Sequence, residues 1–518
     1  MLHSLFVLFE ATIFTYTSFL AGDRILALVR VGSASALARR AYAILTGYAF
    51  FGIAGLALGL AGALTSFSLL ALGIAVVAAS SATIASHIRN LRSRLYPPAR
   101  MAAACADVFG DYAALKIILA LWLACNFIFA FAPITGHDTK DYHLPIITDM
   151  IRHGALNFSS PIPEYRWMPL SGEILYALPT IALGAGDGAP YAFQIIQYGA
   201  LVLLLTIVWD FVRRRAGSKL SALVAVLGIM AITDFQREIL HGGYIDVFVY
   251  VYGIASSLLI VDACADGDFA PRNLVLSALF AGFAMGIKET AGVIAIINII
   301  FLGAGFLRWR PPPRRVWLAL GVYALVAVAA GGFWYAKNAV VFGNPLYLGG
   351  KEFGETLIIR PTVVNFFLFP FYKFGQVSDK DSASRLVVLA YFAAYYALGA
   401  FVLAWRRRMI SFADILLFAF VQTHLALVFF ISHHTRYFLP AIILLPVCIA
   451  VLAARARVPA PPDGGARLRP LIRNGSLIAI HLAAMVLFIG NLRYFHVKFL
   501  YKTGVLTEAE YITQIGSQ

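Results

Sequence analysis

Residues 112–145 read YAALKIILALWLACNFIFAFAPITGHDTKDYHLP. The part from 112 to 133 is an apolar run long enough to cross a bilayer as a helix. Directly behind it stand two carboxylates, Asp138 and Asp141, and two histidines, His137 and His143. Acids placed where a span leaves the hydrocarbon are costly, so they mark a functional site by default. The bland alternative makes both of them ordinary loop acids.

The same alternation of apolar run and polar break extends over nearly the whole chain. Of 518 residues, 61% are hydrophobic and 13% are charged, against about 25% charged in a soluble domain. The mean hydropathy is +0.80. These values predict an all-α polytopic membrane protein of about fourteen transmembrane helices. They fall near 2–22, 41–62, 65–87, 112–133, 190–212, 218–233, 244–264, 273–287, 289–307, 316–341, 384–404, 411–432, 437–455 and 473–494. The apolar stretch 171–184 is short for a span and reads as an interfacial segment.

The net charge of +15 does not point to nucleic acid. The short loops Arg24–Arg40, Arg89–Arg100, Arg213–Lys219, Arg272, Arg308–Arg315, Arg406–Arg408 and Arg455–Arg473 hold 25 Lys and Arg between them. They alternate with loops where acids offset the bases. By the positive-inside rule the basic loops are cytoplasmic. Both termini and the Asp138 loop then face outward, into the periplasm if the membrane is a bacterial inner membrane. No basic region precedes the first apolar stretch, so it reads as a span rather than a cleaved signal. The four cysteines lie in or beside apolar segments without metal-ligand spacing and read as packing residues.

Two outward loops are long, 134–189 and 342–383. In the first, Leu144, Ile147, Met150 and Ile151 recur at helical spacing opposite Asp149, Arg152 and His153, and Gly154 ends the run. This predicts an amphipathic juxtamembrane helix lying along the membrane surface. Thr507-Glu508-Ala509-Glu510 has the form of a capping box and predicts a short outward helix at 507–514. Residues 459–465 read as a cytoplasmic linker. The chain divides into residues 1–100 with three spans, a core at 101–455, and a final linker, span and tail at 456–518.

Several residues can carry chemistry. Asp138 can act as a general base on a hydroxyl, and Asp141 can share that site or belong to another face. Asp246, after Gly242-Gly243-Tyr244-Ile245, either caps a helix or forms a second wall of the same cavity. Lys288-Glu289 interrupts an apolar stretch from 274 to 307. Glu289 either neutralises Lys288, or Lys288 is a cation for a lipid phosphate. Arg166 and Arg436 match phosphate geometry, or snorkel to headgroups. Lys116, near the inner end of its span, reads as snorkelling. His433-His434 is a weak metal signal, and no metalloprotease, phosphate-loop or dinucleotide motif is present.

In this order the patches resemble the GT-C superfamily of integral-membrane glycosyltransferases. The similarity is strongest to bacterial relatives of the protein O-mannosyltransferases and the lipid A aminoarabinose transferases. Asp138-x-x-x-Tyr142-His143-Leu144-Pro145 looks like the first-outer-loop Asp motif, and Arg166 stands where relatives have a basic residue before Pro-Leu. Tyr244-Ile245-Asp246 resembles the later Tyr-x-Asp element, and Gly286-Ile287-Lys288-Glu289-Thr290 the Gly-x-Lys break. Trp334-Tyr335-Ala336-Lys337-Asn338 and Gly343-Asn344-Pro345-Leu346-Tyr347 look like the Trp-x-x-Arg-Asn and Gly-Asn-Pro-x-Tyr elements. The Arg436-Tyr437 turn and the Glu508–Tyr511 tail also fit.

The resemblance spans roughly 112–515 and leaves the first three spans as an N-terminal addition. There are departures. An acid stands at Asp141 where relatives have an aliphatic or small residue, so the base could be either Asp138 or Asp141. Lys337 replaces an arginine, and Asp138-Thr139 replaces an Asp-Glu pair.

The resemblance implies a GT-C-like helical bundle and an inverting transfer of a sugar from a polyprenyl-phosphate donor to an acceptor hydroxyl on a lipid, glycan or protein. Asp138 would be the base. Lys288, Arg166, Arg436 and Lys337 would hold the donor phosphate, and Tyr142, His143, Asp246 and Glu289 would line the substrate site. No cofactor is required by this scheme, although some relatives use a divalent metal. Membrane lipids are the expected surroundings and nucleic acid is not an expected partner. The competing classes are a multi-span transporter or lipid flippase and a non-catalytic envelope scaffold.

Overall fold

A computed structural model describes residues 2–29, 35–94, 111–131, 134, 136–159, 161–183, 192–232, 235–236, 242–347, 349, 362–366, 369, 382–405, 409–456, 507 and 510. Among them the regular structure is entirely helical. In chain order the α-helices are α1 Leu2–Val29, α2 Ala36–Leu60, α3 Ser66–Ala79, α4 Ser81–Arg94, α5 Ala113–Phe129, α6 Leu144–His153, α7 Glu164–Trp167, α8 Ser171–Leu183 and α9 Ala192–Ala216. They continue with α10 Lys219–Met230, α11 Asp246–Asp266, α12 Pro271–Ile287, α13 Gly292–Trp309, α14 Pro313–Gly331, α15 Phe333–Phe342, α16 Ser382–Trp405, α17 Phe412–Ile431 and α18 Thr435–Ala456.

Among the described residues nine helices are long and apolar enough to cross a membrane, or ten if α3 and α4, bent by 65° at Ser80, count as one broken span. The chain is therefore a multi-pass membrane protein; of the expected fourteen spans, nine or ten have this length and apolarity among the described residues. The runs at 112–133, 218–233 and 273–287 yield short apolar helices of 10–17 residues. At 1.5 Å per residue, 17 residues reach roughly 26 Å, short of a core of about 30 Å. The helices of the first two runs stop before the runs do, at Ala130 and Ala231, whereas the third ends where its run ends, at Ile287. The expected span 473–494 lies outside the described residues.

In helix α8 residues 171–181 are buried, and α2, α3, α6, α9 and α12 pack around it. Helix α6 forms where its periodicity predicts and ends on Gly154 at φ +60°, the left-handed C-cap conformation that glycine adopts without strain. Its buried side chains are Ile146, Ile147 and Met150, and the helix packs against α8. The Thr507 capping box is present. Glu510 accepts from the Thr507 amide at 2.8 Å, and the Glu510 amide donates to the Thr507 hydroxyl at 3.3 Å.

Helix α11 is the centre of the bundle and is buried along nearly its whole length. A polar clamp joins it to its neighbours. Ser256 bonds Ser277 of α12 at 2.9 Å, Ser257 donates to Asn298 of α13 at 2.8 Å, and Asn298 donates to Tyr323 of α14 at 3.2 Å. Interhelical hydrogen bonds of this kind hold spans together where lipid offers no hydrophobic contrast. Small residues do the rest. A Cβ on Gly22 or Gly47 would land on the facing backbone of Ala43 or Ser18, and Gly282 and Gly331 bring α12 and α14 equally close.

Gly47→Val should therefore force α1 from α2. Overpacking costs roughly 1–3 kcal/mol even where only side chains must move, and here backbone blocks the new group. We expect a clearly lower unfolding temperature in detergent; an unchanged one would refute this close helix contact. By contrast α14 turns Trp317, Leu325 and Val328 outward, as a lipid-facing helix does.

Charges mark the two ends of α11 and α18. At one end lie Asp246 and Arg436. At the other, Asp262 accepts from Arg214 at 2.8 Å and from the Arg215 Nε at 2.8 Å, while Arg455 donates to Asp414 at 3.0 Å and to the Arg215 carbonyl at 3.0 Å. Arg436 and Arg455 are nineteen positions apart on one helix, roughly 28 Å, about the thickness of a hydrocarbon core.

Candidate active site

The Asp138 turn is pinned by its backbone. Gly136 approaches Gly242 so closely that a Cβ would strike its carbonyl. The Thr139 hydroxyl donates to that same carbonyl. Residues 139–143 form one π-helical turn, a local widening that is frequent at functional sites. Here the two acids take different partners. The Tyr142 hydroxyl donates to Asp138 Oδ2 at 3.0 Å. Asp141 instead pairs with His137 at 2.7 Å on the exposed side.

Three more elements converge on Asp138. Arg436, in the first turn of α18, donates to Asp138 Oδ2. Its guanidinium lies over the Tyr244 and Tyr437 rings, 5.7 and 5.4 Å from their centroids, and its carbonyl accepts from the Tyr250 hydroxyl at 3.0 Å. Asp246 opens α11, where the helix dipole favours an anion. Lys288 closes α12 in extended backbone, φ −156° and ψ 140°, and its Nζ reaches both Asp246 oxygens at 2.9 and 3.0 Å. Glu289 is therefore not the group that neutralises Lys288. The partner in space is thus a residue 42 positions away rather than the neighbour in sequence.

The result is an alternating row, Asp138, Arg436, Asp246, Lys288, with no net formal charge. Asp246 and Lys288 are buried; Asp138 and Arg436 are each about one-fifth exposed. Burial alone would raise the proton affinity of Asp138. The Arg436 guanidinium, the Tyr142 hydroxyl and the more distant Lys288 outweigh it and hold the carboxyl below its ordinary value.

Sequence reasoning missed one member of this neighbourhood. Glu173, on α8, bonds His143 Nδ1 at 2.7 Å, and both side chains are shut from solvent. His143 Nε2 and Glu173 Oε2 are buried with no hydrogen-bond partner among the described residues. Its signal was in the sequence: Glu173 is the one charged residue in the apolar segment 171–184.

The remaining candidates stand outside this bonded set. Lys337 Nζ donates to the Arg166 carbonyl at 2.7 Å, and Asn338 donates to the Trp167 carbonyl at 2.9 Å, so α15 closes the end of α7. Arg166 itself is exposed. Glu289 lines a small pocket with Trp167, Trp334, Tyr335 and Tyr347. His433 is buried and bonded to the Phe429 carbonyl at 3.1 Å between the Phe369 and Phe429 rings, a packing role rather than a ligand's. Among the described residues no group of three or more His, Cys, Asp or Glu is arranged to hold a metal ion.

No protein-family model and no curated protein matches the chain. Among solved structures, it is similar to the crystal structure of ArnT from Cupriavidus metallidurans bound to undecaprenyl phosphate. The two are 13% identical, 78% of this chain and 75% of that chain are covered, and the TM-score is 0.48.

Proposed function

We propose that this protein is a GT-C-type glycosyltransferase that moves a sugar from a polyprenyl-phosphate donor to an acceptor hydroxyl, with inversion, at the outer face of a bacterial inner membrane. The observation that carries the reading is the alternating row of Asp138, Arg436, Asp246 and Lys288 at one end of the bundle. The ordered motifs that resemble GT-C enzymes support it.

In this scheme Asp138 takes the proton of the acceptor hydroxyl as that oxygen attacks the anomeric carbon. The bond from the anomeric carbon to the phosphate oxygen breaks, and its electrons leave with the polyprenyl phosphate. Negative charge grows on that oxygen, and cations already fixed in a water-poor site lower its energy without reorganising. Lys288 and Arg436 are those cations. At rest Asp246 and Asp138 hold them in place; a donor phosphate competes for the same protons. Tyr142 orients Asp138, and Glu173 fixes the ring of His143.

Mass spectrometry of polyprenyl-phosphate sugars and envelope glycans, from cells with and without the gene, tests the reading. The expected result without the gene is accumulation of one lipid-linked sugar together with a glycan that lacks one residue. No change in either pool, with flux of a solute or lipid through liposomes carrying the purified protein, would replace the transferase with a transporter.

A further inference from the structure

Behind the Asp138 turn three elements meet at Gly172 of α8. A Cβ there would lie 3.1 Å from the side chains of both Ile245 and Ile287, the residues just before Asp246 and Lys288. Glu173 is the next residue of α8, and its Oε1 bonds His143 Nδ1 at 2.7 Å. His143 comes from the π-turn, with its ring centroid 4.2 Å from that of Tyr142. Asp246 is within electrostatic reach of His143 as well as of Lys288 and Arg436.

Both His143 and Glu173 are shut from solvent. A carboxylate in such a place is kept beside a positive charge, or it takes up a proton. Either way the couple binds two protons. One lies between Nδ1 and Oε1. The other belongs to Nε2, because an imidazole is more basic than a carboxyl. Nε2 is thus a buried N–H donor, and it has no hydrogen-bond acceptor among the described residues. A buried donor left unpaired is costly, so it calls for an acceptor in another state of the site.

Asp246 is the group that will need such a donor. At rest both of its oxygens accept from the Lys288 ammonium. A donor phosphate that draws Lys288 to itself leaves this carboxylate buried and short of hydrogen bonds, and breaking a buried pair from one side is strongly unfavourable. A bond from His143 Nε2 would replace the one that is lost. We propose that His143 and Glu173 are positioning residues for donor binding: the His143 Nε2–H becomes the partner of Asp246 when the polyprenyl phosphate takes Lys288. This rests on the transfer reaction proposed above. The exchange moves hydrogen bonds only, and neither residue touches the sugar.

The test is a calorimetric titration of the purified protein in detergent with farnesyl phosphate, with farnesol as the uncharged control. His143→Asn keeps an N–H toward Glu173 and removes the one at Nε2. It should weaken farnesyl phosphate about tenfold or more, the size of a lost hydrogen bond to a charged group, and leave farnesol unchanged. In an Asp246→Asn background the same substitution should change the affinity by less than about twofold, because the charged acceptor is gone. Magnetic resonance of the parent with isotope-labelled histidine serves if His143→Asn fails to fold. Farnesyl phosphate, and not farnesol, should move one solvent-protected Nε2–H resonance, and Asp246→Asn should abolish that shift.

An unchanged affinity in His143→Asn, an equal loss in the Asp246→Asn background, or no shifted imidazole resonance would each overturn the exchange and leave the transferase reading standing. No binding of farnesyl phosphate by the parent would overturn both. A response that depends on phosphate, His143 and Asp246 in a protein that transfers nothing would support the exchange while sinking the transferase reading alone.

Discussion

Asp138→Asn will abolish measurable sugar transfer while the protein still inserts and folds. A positioned general base contributes roughly 10²–10⁴ in rate, and the amide cannot take the proton. The fold should survive because Arg436 keeps Asp246 as an electrostatic partner, and the turn is still pinned through Gly136 and Thr139. Transfer from a lipid-linked donor, measured beside thermal unfolding, checks both halves. Full activity would remove Asp138 from the role of base and leave Asp141, or the Glu173-backed His143, to be tested.

The pH dependence gives a second reading of the same residue. Its carboxyl is held below the ordinary value of 3.8. The ionised form is therefore complete throughout the neutral range, and loss of activity through Asp138 should appear only as the pH falls below that value. The stability linked to its ion pair has the same sign: present above the unfolded value, lost as pH falls through the lower folded one. An acid limb near neutrality would belong to another group.

Lys288→Met is the second large effect, and it should strike stability and transfer together. Removing one partner of a buried ion pair typically costs about 3–5 kcal/mol, because the other charge stays buried. Asp246 would keep only the electrostatic attraction of Arg436 and His143. The double variant Asp246→Asn with Lys288→Met separates the two roles. With both charges gone most of the stability should return, as neutral replacements of buried pairs often show. Transfer should remain lost, because the leaving phosphate has lost a cation. A double variant that regains transfer would make Lys288 a structural residue only.

What could be read in the sequence follows from what each residue has to do alone. Asp138, Asp246 and Lys288-Glu289 interrupt apolar runs, and such interruptions are visible without coordinates. Their pairing was not visible. Lys288 joins a carboxylate 42 positions away rather than the one beside it, because the break after α12 is extended rather than helical. The π-turn sends Asp141 outward with His137 although it stands three residues from Asp138. Glu173 was passed over because its segment looked too short to span, yet that segment is among the most deeply buried in the chain. The shorter helices have a similar origin: an apolar run records what a segment can bury, and the break at Ala231 records where its helix ends.

The charges at the opposite ends of α11 and α18 have a mechanical consequence. Each helix is staked at both ends, by Asp246 and Asp262 on one and by Arg436 and Arg455 on the other. The bundle thus carries a ruler of roughly 28 Å. A bilayer thicker or thinner than this ruler must deform around it or tilt it. A lipid donor lying in that bilayer would then meet the Asp138 turn at a depth set by the ion pairs of the far face, which never touch it.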